Sequence, residues 1–228
     1  GVFFALEVLL RRFSTRNFSV VVLSSVVATV IAIQIRGDTL EIPIPSYNLI
    51  SATEIPLYVI LGAGCGVAGA IFIRFFYWTE GAFSRIPVLP PWLLPAIGGA
   101  LVGTLALLDD SILGIREGAR DQALLGTEPI NTMLLLLFLK MIATSITVNS
   151  GGSGGVLFPA LFIGAMTGGI FGEGANILLP NLTESSGAYA TAGMAAMFAA
   201  VSHAPITSTL ILIEMTDDFD LMVPILTA

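Results

Sequence analysis

Charge is scarce in this chain: 11% of its 228 residues are Asp, Glu, Lys or Arg, 55% are hydrophobic, and the mean hydropathy is +0.93. Soluble domains carry about 25% charged residues, so a water-soluble globular fold is excluded and the chain reads as a membrane protein. Cysteine occurs once, as Cys65 in LGAGCGVAGA. That rules out an internal disulfide and a cysteine-based metal site, and leaves small-residue packing as its role. Lysine and arginine are absent beyond Lys140, whereas Glu173, Glu184, Glu214, Asp217, Asp218 and Asp220 all lie in that stretch. A count of flanking cations therefore cannot orient the second half in a bilayer. The cluster Arg11, Arg12 and Arg16 places only the loop after the first segment on the cytoplasmic side. A secretory signal pattern is missing too, because the chain opens at Gly1 inside an apolar run. It closes in LMVPILTA, within a further hydrophobic segment, so residues 1–228 read as a single transmembrane domain cut from a longer protein at both ends.

What the chain has in quantity is long apolar runs. A bilayer core of about 30 Å needs about 20 apolar residues per helix, and residues 18–35, 54–78, 91–108, 130–148, 156–179 and 187–213 come near that length. The polar stretch RGDTLEIPIPSYNLISATEIP reads as a connector, and DDSILGIREGARDQALLG as a surface loop with a short amphipathic helix. Gly62, Gly66 and Gly69, with Ala63 and Ala70, are the small residues that let helices approach closely in lipid. No strict repeat or low-complexity tract divides the chain, so one all-α domain of packed, uneven helices is expected.

One loop stands apart. Ser150–Gly155 reads SGGSGG and runs straight into VLFPALFIGAMTGGIFG. Irregular backbone survives in a membrane only where it is buried or lines a cavity, and glycine-broken segments point to transport sites. Its glycines let successive N–H groups turn toward one point, and a helix starting near Val156 adds free N–H groups and about half a positive charge. An anion can bind there without a cationic side chain, held by partial charges weakly enough to leave again. The plainer reading is that the glycines serve close packing alone.

Other chemistries compete for the same residues. A phosphate loop needs Gly-Lys-Ser/Thr after the glycines, where Val156 and Leu157 stand, so it fails. An intramembrane serine protease would pair Ser153 in GGSGG with the single histidine, His203. His203 stands between Ser202 and Ala204-Pro205, where an interfacial or capping role is the ordinary one. Glu117, flanked by Arg116 and Arg120, reads as a solvated ion pair. Glu214 sits in the apolar ILIEMTDD, where a carboxylate is costly and is expected to be protonated or bonded to helix N-terminal amides.

Gly155, Pro159, Gly164, Ala165 and Gly168 fit the frame SGG..GG.F.P...GA..G. Later, AGMAAMFAAVSHAPITSTLILIEMTDDFDLMVPIL follows the pattern AGM...A...APLT...L..EMT, and the opening GVFFALEVL completes the set. Over essentially its whole length the chain resembles the C-terminal half of the transmembrane domain of the CLC chloride channels and chloride/proton antiporters. The resemblance implies an all-α integral membrane fold of about ten uneven, tilted and partly re-entrant helical pieces. It implies a homodimer with one pore per subunit, multi-pass in a membrane, with short connectors that favour a prokaryotic plasma membrane. It implies passage of chloride or a similar small anion, with no enzymatic step, no cofactor, no metal and no nucleic acid. The anion-binding segment carries over to Gly155, Val156, Leu157, Phe158 and Pro159, with the amides of Val156 and Leu157 facing the ion.

Three departures from the family pattern bear on mechanism. Leu157 holds the usual phenylalanine position, with Phe158 one place later, which keeps a backbone contact and alters an aromatic constriction. Glu7 is followed by Val8 where family exchangers commonly carry a second acid, and valine carries no proton. Glu7 and Val8 are thus the proton-path candidates, and the valine argues against strict chloride/proton exchange. The family's filter serine and external gating glutamate belong upstream of Gly1 and its inner tyrosine downstream of Ala228, and Glu117 does not take the gating role because Ala119 stands where the motif has proline.

Overall fold

The computed structural model describes residues 2–4, 7, 15–36, 54–85, 90, 92–114, 118–180, 185–216 and 222–228. Every regular element among them is helical: α1 (Val2–Phe4), α2 (Thr15–Arg36), α3 (Ile55–Ser84), α4 (Leu94–Leu105), α5 (Gly118–Leu124), α6 (Ile130–Asn149), α7 (Leu157–Leu178), α8 (Ser186–Ser202), α9 (Pro205–Thr216) and α10 (Met222–Thr227). A single 3-10 turn, Asp110–Ile112, lies between α4 and α5. Among the described residues four helices, α2, α3, α6 and α7, are long and apolar enough to cross a membrane. At 1.5 Å per residue, the 30 residues of α3 extend about 45 Å, beyond the ~30 Å hydrocarbon core, so it tilts or projects.

The centre is the pair α7 and α8, with α3 packed on α8, α6 on α7, and α4 on α6. Residues 186–198 of α8 are all buried, which suits a run of Gly, Ala, Ser and Thr with few large side chains. Where α7 and α8 cross, backbone meets backbone. A Cβ on Gly193 would lie 2.5 Å from the Gly164 oxygen, one on Gly168 would run into the Tyr189 carbonyl, and one on Gly172 would lie 2.8 Å from the Ser186 Cα. Gly164, Gly168 and Gly172 recur every fourth residue, and so share one face of α7. Lipid supplies no hydrophobic drive between helices, so close approach through small residues is how such a pair gains attraction. Cys65 packs as expected: its buried thiol lies 3.8 Å from the Gly193 oxygen. Gly69 also faces α8, against Ala200, but Gly66 opens outward with nothing near it, so only one face of the α3 glycine stretch serves packing.

Four expectations change. The stretch 187–213 is two helices, because Pro205 opens α9 and His203 ends α8 in the left-handed conformation (φ 55°), its N–H donating to the Ala199 oxygen at 2.9 Å. Proline lacks the N–H that would continue α8 and restricts the residue before it. The short helix in the polar connector is not a surface element: Ala119, Arg120, Ala123 and Leu124 of α5 are buried, and α5 packs on α7 and α8. Small alanines admit that docking while Arg120 keeps an ion pair with Asp121 at 2.9 Å. The stretch 91–108, read as near spanning length, holds the 12-residue α4, too short to cross as a straight helix. Glu214, expected to be protonated or bonded to helix N-terminal amides, lies exposed on α9.

Helix α2 buries none of its apolar span within this chain, so that surface is left for lipid or for other protein.

Because the α7–α8 contact is backbone to backbone, Gly168→Ile is expected to destabilise the full-length protein by about 3 kcal/mol through overpacking. Gly174→Ala, with open space at its Cβ, is expected to hold or raise stability by about 0.5–1 kcal/mol. Unfolding temperatures in detergent check both.

Candidate functional site

The loop that links α6 to α7 is built by two of its four glycines. Ser150 ends α6, its N–H bonded to the Ile146 oxygen at 2.9 Å, and Gly151 turns the chain at φ +87°, a region that side-chain-bearing residues avoid. Gly152 folds back on α6, donating to the Thr147 oxygen at 3.0 Å, and a Cβ there would stand 2.7 Å from that same oxygen. Gly154 and Gly155 are different: Gly155 has nothing within 4 Å of its Cβ position. Turn geometry and close packing thus account for Gly151 and Gly152, a Cβ on Gly154 would meet the Val148 and Thr147 methyls at ordinary contact distance, and Gly155 alone has open space beside it.

That space belongs to a cavity of about 440 Å³ lined by Gly154, Gly155, Leu157, Phe158 and Pro159 from the start of α7, by Lys140, Thr144 and Thr147 of α6, and by the Ile112–Gly114 turn. Ser153 also reaches it. Val156, the N-cap of α7, has no side-chain cap; its carbonyl accepts the first helical bond, from Ala160, at 2.9 Å. Among the described residues, no protein group accepts from the amides of Val156, Leu157 or Phe158, and Pro159 has no N–H to offer. Four of the five predicted anion-segment residues line one cavity, and Val156 stands at the head of the helix beside it. None of the described lining residues is acidic.

Lys140 is the residue sequence reasoning missed. It is the single lysine of the chain, and it is only 4% exposed. Its Nζ donates to the carbonyl oxygens of Ile112 and Gly114, at 2.9 Å each, and lies 4.9 Å from the centre of the Phe162 ring on α7. Gly114 takes φ +58° to present its carbonyl there. The available signal was a lone charge inside LLLLFLKMIATS, since an ionisable residue within a membrane span is a functional candidate by default.

The other predicted residues lie elsewhere. The Glu7 carboxylate accepts from the Thr207 N–H at 2.7 Å and from the Thr207 hydroxyl, at the first turn of α9. An acid there is favoured by the free amides and the helix dipole. Val8 and Glu117 lie outside the described residues. Ser153 lines the cavity while His203 caps α8, and no hydrogen bond joins them, so the protease pairing gains no support. No group of three or more His, Cys, Asp or Glu suited to a metal ion occurs among the described residues. Outside the spans, burial and then neighbouring Asp109 push the Glu128 carboxyl above its ordinary value, against a hydrogen bond from Thr132 that lowers it.

Uneven apolar helices, an interrupted α8–α9 pair and a helix N-terminus opening on a cavity describe a multi-pass membrane protein. A sequence profile described as voltage gated chloride channel matches residues 1–228. With that match over its entire length, the chain belongs to the CLC family of chloride channels and H+/Cl− exchangers. It is similar to Chloride channel protein CLC-f of Arabidopsis thaliana, at 32% identity over all of this chain and 32% of that protein. It is also similar to the H(+)/Cl(−) exchange transporter ClcA of Vibrio parahaemolyticus, at 31% identity over 94% of this chain and 47% of that one. Among solved structures, a slow cyanobacterial Cl−/H+ antiporter superposes with TM-score 0.79 at 28% identity, covering 94% of this chain and 50% of that one. The chain thus spans a third to a half of the length of these relatives.

A glycine of the turn and the open Gly155 separate in stability. Gly152→Ala is expected to lower the unfolding temperature, by forcing a Cβ onto the Thr147 carbonyl. Gly155→Ala is expected to leave it unchanged; an equal drop for both would mean that Gly155 is also needed for the turn.

Proposed function

We propose that the protein containing this chain passes chloride or a similar small anion across a membrane, holding the ion on the backbone amides of Val156 and Leu157 at the start of α7. The observation that carries this reading is the set of amides with no acceptor among the described residues, beside a cavity whose described lining holds no carboxylate. A helix N-terminus favours an anion by about half a unit of positive charge, and partial charges offset dehydration without trapping the ion. Phe158 and Pro159 border the same space, and Pro159, having no N–H, limits the donor set to the residues before it. No cofactor and no covalent step are needed. The working assembly is a homodimer with one pore per subunit, and bacterial relatives support a prokaryotic plasma membrane.

Proton coupling is weak or absent in this reading. Val8 cannot relay a proton, and the engagement of Glu7 with Thr207 supports a capping role for the acid that remains. Relatives bear both kinds of name, a chloride channel and an H+/Cl− exchange transporter, so coupling is the property to measure.

The full-length protein in chloride-loaded liposomes, with chloride efflux and external pH followed together, tests both parts. Efflux with little proton movement is expected. Opposed proton movement in fixed proportion overturns the uncoupled part, and no efflux of any halide overturns the whole. Val8→Glu is expected to increase proton movement; no change would place the inner proton path elsewhere. Because the ligands are backbone groups, Ser153→Ala is expected to shift the half-saturating chloride concentration by less than about tenfold, or 1.4 kcal/mol. A larger loss in a folded protein would make the hydroxyl a ligand.

A further inference from the structure

We propose that Lys140 is a positioning residue for the anion, a buried ammonium fixed by the Ile112 and Gly114 carbonyls and the Phe162 ring that sets how strongly the cavity beside α7 holds its ion. The inference rests on the reading that an anion binds at the α7 N-terminus, and adds to it a side chain outside the predicted anion segment.

Burying an ammonium is costly unless an opposite charge accompanies it. At Lys140 the described partners are all neutral: two carbonyl oxygens at 2.9 Å and an aromatic face at 4.9 Å. These solvate the charge and do not neutralise it. The described cavity lining contains Lys140 and no acid, so among the described residues the wall carries a positive charge that no carboxylate faces. An anion in the cavity supplies the opposite charge.

The placement is specific. Phe162 belongs to α7, so the ammonium stands beside the opening turns of the helix whose free amides border the cavity. Its unit charge adds to the roughly half unit at the helix N-terminus. Carbonyls and ring disperse that charge and keep the ammonium at the wall, which suits an ion that must also leave. The same clamp holds the Ile112–Gly114 turn, so Lys140 also shapes the far side of the cavity. A purely structural clamp and a field-setting charge make different predictions.

Chloride flux by the full-length protein in liposomes, measured against chloride concentration, separates them. Lys140→Met, which keeps length and loses charge, is expected to raise the half-saturating chloride concentration about tenfold or more. Adding Thr144→Lys, which returns a cation to the same cavity wall one turn along α6 without rebuilding the Ile112–Gly114 clamp, is expected to recover most of that loss. An unmoved half-saturating concentration in folded Lys140→Met, or no recovery in the folded double variant, overturns the role of the charge and leaves Lys140 a structural clamp. If Lys140→Met does not fold, Lys140→Arg decides. Retained charge is expected to hold the half-saturating concentration within about threefold of the parent, because guanidinium and ammonium share charge and differ in shape. A tenfold rise in folded Lys140→Arg overturns the proposal. A parent protein that carries no chloride at all overturns instead the anion reading beneath it.

Discussion

Close backbone contact between α7 and α8 is the constraint on which the rest depends. Gly164, Gly168 and Gly172 bring α7 against α8 so closely that any side chain would collide with a carbonyl or Cα of its partner. In lipid, where apolar surface gains little by leaving the solvent, such contact is the available source of attraction between helices. Neighbouring helices register on this pair. The Cys65 thiol of α3 reaches the Gly193 oxygen, and Met133 of α6 packs where a side chain on Gly169 would stand. The direction and depth of the α7 N-terminus, and so of its free amides, follow from contacts made further along the helix.

Charge is arranged with similar economy. The described lining at the start of α7 has amides, hydroxyl-bearing Ser153, Thr144 and Thr147, and one ammonium, and no carboxylate. Glu7 stands on the start of another helix, where α9 takes up its charge through Thr207. Two helix N-termini therefore serve opposite ends: α9 is already capped by an acid of the protein, while α7 is left open. A helix start whose donors have an internal partner has fewer left for a visiting ion, and α7 is an uncapped start that also borders the cavity.

The SGGSGG loop shows how one motif divides its labour. Gly151 and Gly152 make a turn that other residues would strain, Gly154 stands in ordinary contact with Val148 and Thr147, and Gly155 has open space beside the helix start. From sequence alone all four look equivalent, which is why packing and binding readings competed; the backbone gives two of them to the turn.

Membrane class, the all-α fold, the main helix spans and the start of a helix just after the SGGSGG loop were legible in the sequence, because they depend on local quantities: hydropathy over about 20 residues, proline and glycine at helix ends, and the spacing of small residues on one face. The family frame was legible for the same reason, being a pattern along one strand of text. The contacts that give the site its electrostatics were not. Glu7 meets Thr207 across 200 positions, and Lys140 meets Gly114 across 26, in a geometry set by how α6 and α7 cross. The burial of α5 and the exposure of Glu214 depend likewise on which face of a helix its neighbours cover. Local composition determines where a helix forms and whether lipid accepts it. Only the packing of helices on one another decides which buried charge faces which helix end, because that contact exists in three dimensions and leaves no fixed spacing in the chain.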